Sequence, residues 1–71
     1  MRHKRTYLPA AQFVEKMVRR YGINRPWVWD VLEDEFNIIK GIGCVMDRED
    51  MERAEDALIA YIAEDLVKPT N

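Results

Sequence analysis

His3 and Cys44 are the chain's only histidine and only cysteine. Imidazole and thiolate are the side chains that most often act as base, nucleophile or zinc ligand near neutral pH. One of each, with His3 in a basic opening segment, supplies no set of His, Cys and carboxylate at zinc-site spacing. Cys44 has no basic neighbour in sequence to favour its thiolate, so it reads as a small apolar residue. Gly41-Ile42-Gly43 lacks the preceding strand, the third glycine and the lysine of phosphate-binding loops, and reads as a hinge or turn. Two carboxylates, Glu35 and Asp65, interrupt apolar stripes where an unpaired charge is costly. Neither has beside it in sequence the histidine or nucleophile that would complete a set for acid–base chemistry. The expectation is a protein that is not an enzyme and holds no metal or cofactor.

Interaction chemistry is better represented. Trp27 and Trp29 stand two apart on what reads as one helix, roughly 160° from each other around its axis. They occupy opposite edges of an apolar arc. Either each packs under a different neighbouring helix, Trp27 under the first and Trp29 under the third, or one remains as an anchor for a partner, a role in which tryptophan is enriched. Asp30, Glu33 and Asp34 lie on the polar remainder of the same helix. Trp27, Trp29, Asp30, Glu33 and Asp34 are therefore the candidate partner-binding residues.

Charge is divided along the chain. Residues 1–26 carry seven basic groups and one acid, a balance of +6, whereas residues 27–71 carry four basic groups and twelve acids, a balance of −8. A net charge of −2 thus conceals a dipolar molecule, and such molecules find charged partners, including copies of themselves. At 71 residues the chain is one domain at most, in the size range where a core supplies only about 3 to 5 kcal/mol of net stability. No apolar run approaches the roughly 20 residues that span a bilayer, and the opening is not followed by a signal-peptide stretch. A lone cysteine fits a reducing compartment, so a cytoplasmic protein is expected.

The elements that must position these residues are helical. Met1 to Tyr7 has no periodicity and reads as a flexible basic arm carrying Arg2, Lys4 and Arg5. Pro9 suits a first turn, and Ala10, Phe13, Val14, Met17, Val18 and Tyr21 keep the i, i+3, i+4 spacing of an amphipathic helix. Glu15 and Arg19 are placed for an i, i+4 pair. Gly22 ends this helix as a left-handed cap, with Ile23 returning to Val18. Asn24 is a good N-cap for the next, Pro26 is tolerated in its first turn, and Ile23 can staple against Val28. Trp27, Val28, Trp29, Val31, Leu32, Phe36, Ile38 and Ile39 cover roughly 200° of its circumference, which is too wide for one neighbour. Ile42 to Met46 is a short apolar connection in which a strand would be unpaired. Asp47, followed by Glu49 and Asp50, caps a third helix striped by Met51, Ala54, Leu58, Tyr61, Ile62 and Leu66, and Pro69 follows its end. The predicted fold is all-α: an arm over 1–7 and a three-helix domain over 8–68, with helices at about 9–21, 25–40 and 48–67.

The first two helices also have helix-turn-helix spacing at Val18, Gly22, Ile23, Val28 and Val31. In that alternative Arg2, Lys4, Arg5, Arg19, Arg20 and Arg25 contact DNA, while Asp30, Glu33 and Asp34 are pushed toward phosphates, which disfavours it. Residues 13–25, from Phe13 through Tyr21-Gly22-Ile23-Asn24-Arg25, with Val31-Leu32 beyond, resemble the helical hairpin that opens B-type lytic murein transglycosylases. The resemblance implies a helix, a glycine-capped turn and a second helix. That family's catalytic glutamate lies in a later domain with no counterpart in this chain, so no activity carries over. The expectation is a small accessory or regulatory protein, an inhibitor or adaptor of a size common among phage and plasmid regulators, that binds another protein. A membrane partner is not expected, and a homodimer is compatible with the divided charge.

Overall fold

A computed structural model describes residues 7–41 and 44–65. The elements run β1 (Tyr7–Pro9), α1 (Ala10–Tyr21), α2 (Arg25–Phe36), β2 (Val45–Asp47) and α3 (Arg48–Ala63). The domain is mostly helical, as the periodicities predict. It is not all-α, because β1 and β2 pair as a two-stranded antiparallel sheet with Tyr7 opposite Asp47, Leu8 opposite Met46 and Pro9 opposite Val45. Tyr7 therefore belongs to the domain and not to an arm. Residues 1–6, with Arg2, Lys4 and Arg5, lie outside the described residues.

Each strand runs directly into a helix. Pro9 closes β1 and stands at the N-cap of α1, where its missing N–H leaves no donor unmet. The adjoining Ala10 N–H donates to the Cys44 carbonyl at 2.9 Å, which ties the start of α1 to the chain entering β2. The period of two sorts the ribbon's faces: Met46 is fully buried, while Tyr7, Pro9 and Val45 look outward.

α1 buries Ala10, Phe13, Val14 and Met17 and ends at Gly22, whose φ of 63° and N–H bond to the Val18 carbonyl make a left-handed cap. An added Cβ at Gly22 would meet nothing within 4 Å, so backbone conformation, not space, selects glycine there. Asn24 caps α2, its side-chain oxygen accepting from the Trp27 N–H at 3.0 Å. α2 packs against both α1 and α3, which is what its wide apolar arc requires. It stops four residues before the expected Lys40. Asn37 takes up φ 56°, and the N–H groups of Asn37 and Ile38 both turn back to the Leu32 carbonyl. Ile38 is thereby buried from outside the helix and Ile39 is left 57 % exposed.

Asp47 caps α3 as its sequence position predicts, accepting from the Asp50 N–H at 2.8 Å. α3 ends at Ala63 and not at 67; Asp65, at φ 59°, lies past the end with its N–H on the Ile62 carbonyl. Neither stripe-breaking acid is buried. Asp65 is off the helix, and Glu35 is exposed.

Candidate interaction surfaces

Trp27 belongs to the core. It is 5 % exposed and meets Tyr61 of α3 edge-on, with centroids 5.9 Å apart and planes at 77°. Trp27 thus reaches α3, and its burial leaves little of it open to a partner. Trp29 is only partly buried and packs at the margin of the core. Asp30, Glu33 and Asp34 are exposed on the polar face of the same helix, with Glu33 one turn on from Trp29. The Tyr61 hydroxyl donates to the Glu35 carboxylate. That bond, then burial, then the charges of Glu35, Asp34 and Glu64 push its pKa up. Acids near the ends of α2 and α3 thus converge on Tyr61, beside Trp27. Arg53 of α3 lies over the Phe36 ring at 5.9 Å, a cation–π contact on the other margin of α2.

The exposed face of α1 carries the basic groups Lys16, Arg19 and Arg20. A shallow open groove follows the outer face of α1, floored by Leu8 and Ala11 and walled by Glu15, Lys16, Arg19 and Arg20. Two of the expected nucleic-acid residues are already engaged here. Arg25, the first residue of α2, grips Glu15 with two N–H donors, the Nη2 bond measuring 2.8 Å. This pair, with a smaller contribution from the Arg19 charge, lowers the Glu15 pKa. The pairing replaces the expected Glu15–Arg19 contact because the Gly22 turn brings the start of α2 back beside α1. Arg20 Nη1 donates to Glu55 Oε2 at 2.9 Å, and the Tyr21 hydroxyl donates to the same oxygen at 2.5 Å. Among the described residues, Lys16 and Arg19 make no ion pair. Of Lys16, Arg19, Arg20 and Arg25, only the first two would meet a duplex without an ion pair among the described residues. Charge-opposite residues ten or more positions apart carry no pairing signal in one sequence, so Glu15 and Glu55 were not identifiable as the partners.

Glu55 makes stability depend on acid. The Tyr21 hydroxyl first, and Arg20 second, hold its carboxyl below the ordinary carboxylate range against the opposing effect of burial. A carboxylate with a lowered folded pKa contributes stability that is present above its unfolded pKa and lost as pH falls through the folded value. Stability is expected to decline from about pH 4.3 downward, and Glu55→Gln to flatten part of that decline while costing stability at pH 7. Urea titrations from pH 7 to 3 check this; an unchanged acid slope in the variant would show that Glu55 has no part in it.

Among the described residues, no three His, Cys, Asp or Glu side chains gather as a metal site, and no helix is long and apolar enough to cross a membrane. Compared with family models, curated proteins and solved structures, the chain finds no match.

Proposed function

We propose that this protein is a non-enzymatic accessory protein, an inhibitor or adaptor, whose acidic α2 flank binds a basic surface of another protein. The observation that carries the reading is the state of that flank. Glu33 and Asp34 are exposed and make no ion pair among the described residues, and Glu33 stands one turn on from the partly buried Trp29. Adjacent unneutralised acids repel one another, and a basic partner relieves that repulsion while covering the indole. Asp30 extends the same edge. Trp27 lies behind it as core support and not as a contact.

Capture of the partner from the native host, with a nuclease-treated control, followed by binding isotherms for Trp29→Ala, Glu33→Ala and Asp34→Ala, tests this. Trp29→Ala is expected to weaken binding about tenfold or more, as interface tryptophans do, and the acid variants to lose salt dependence. Full binding by all three would remove the flank from consideration. A partner lost on nuclease treatment would replace the reading with a nucleic-acid one.

A further inference from the structure

We propose that the α1 groove is a docking site for α3 of a second copy of this chain, laid antiparallel to α1. The proposal is independent of the α2 flank, since neither surface uses Trp29, Glu33 or Asp34.

The groove changes character along its length. Toward the start of α1 its floor is apolar, with Leu8 and Ala11; toward the end it is cationic, with Lys16 and Arg19 unpaired among the described residues. Its other two charges are cancelled by Arg25 on Glu15 and Glu55 on Arg20. An occupant must therefore offer acids at one end and small or apolar groups at the other.

The solvent face of α3 has that sequence. Glu52 and Asp56 are exposed nearer its start, and Ile59, Ala60 and Ala63 are exposed nearer its end, Ile59 at 43 %. These five residues fall within about 100° of one another around the axis, so they form one stripe. In an antiparallel arrangement Glu52 meets Arg19, Asp56 meets Lys16, Ala60 meets Ala11 and Ala63 meets Leu8. The register closes because both helices rise about 1.5 Å per residue: Ala11 to Arg19 and Glu52 to Ala60 each span about 12 Å. The direction is also the one the helix dipoles favour, because antiparallel neighbours set opposite dipole ends side by side. Small residues at Ala11, Ala60 and Ala63 allow close approach of the two helices. Among the described residues, the contact on this stripe that would be disturbed is the Arg48–Glu52 pair at 3.5 Å, whose side chains are 80 % and 68 % exposed, and exposed i, i+4 pairs are weak.

The contact is heterologous: the groove of one copy holds the helix of the next. Its ionic part is screened by salt. Sedimentation equilibrium of the full chain at about 10 mM and about 1 M salt, where the screening length falls from about 30 Å to about 3 Å, reads this out. The expected result is a weight-average mass above the monomer at low salt that returns to the monomer at high salt. Lys16→Glu/Arg19→Glu and Glu52→Lys/Asp56→Lys should each weaken association about tenfold or more, since each sets like charges against like. Mixed in equal amounts, the two variants should associate again, because each supplies the charge that the other's surface now requires. Recovery on mixing also shows that both variants are folded, which circular dichroism checks separately. A wild-type monomer at millimolar protein and low salt would overturn the proposal. So would variants that associate as the wild type does, or folded variants that remain monomeric when mixed.

Discussion

Phe13→Ala is expected to lose cooperative unfolding at room temperature. Phe13 is 2 % exposed and sits among the fully buried Val14, Met17, Val28 and Leu32 in one core. Truncating a buried phenylalanine costs about 3 to 5 kcal/mol, combining lost transfer energy with the cavity left behind. A domain of this size has only about 3 to 5 kcal/mol to lose. The two quantities are equal within their spread, so the variant should populate the unfolded state substantially at 25 °C. Thermal melts followed by far-UV circular dichroism decide the matter: a sloping trace with reduced helix signal is expected, and a sigmoidal transition within a few degrees of the wild type would contradict it. Ile59→Ala provides the comparison. Ile59 is 43 % exposed, and exposed positions of this kind usually change stability by no more than about 0.5 kcal/mol.

Met46→Ala should be strongly damaging too, at about 2 to 5 kcal/mol, while Val45→Ala next to it should be nearly silent. The contrast follows from the pleat. Met46 is fully buried and Val45 is 51 % exposed, although they are neighbours on a strand of three residues. A three-helix bundle that stood without its ribbon would tolerate both substitutions equally. Urea midpoints for the pair measure the difference directly. Equal, small shifts would show that the sheet decorates the helices and does not help hold them.

The ribbon is also the part of the fold least legible in the sequence. The helical stripes were readable because each is local: α1 starts and ends where Pro9 and Gly22 put it, and α3 starts where Asp47 does. β1 and β2 are three residues each, too short for alternation to register, and their partnership joins Tyr7 to Asp47 across two helices. The end of α2 was misread for a different reason. Ile38 and Ile39 continue the helical apolar rhythm, yet Asn37 adopts the left-handed cap that asparagine tolerates better than most residues. Of the candidate site, the acidic flank was visible from periodicity alone. Trp27 and Trp29 looked equivalent because periodicity gives angles around a helix and not which neighbour covers each angle; Tyr61 covers Trp27.

The same β1–β2 pairing has a kinetic consequence. α1 with α2 can meet through the short turn at Gly22, so their contacts close early and at small entropic cost. Pairing residue 7 with residue 47 closes a loop that contains both helices, and non-local closures of this kind are made late. Interactions formed after the transition state act on the unfolding rate. The stability lost in Met46→Ala should therefore appear in stopped-flow measurements mainly as faster unfolding, with refolding little changed. The two short strands then act as a latch on the native state, governing how long the protein stays folded more than how fast it gets there.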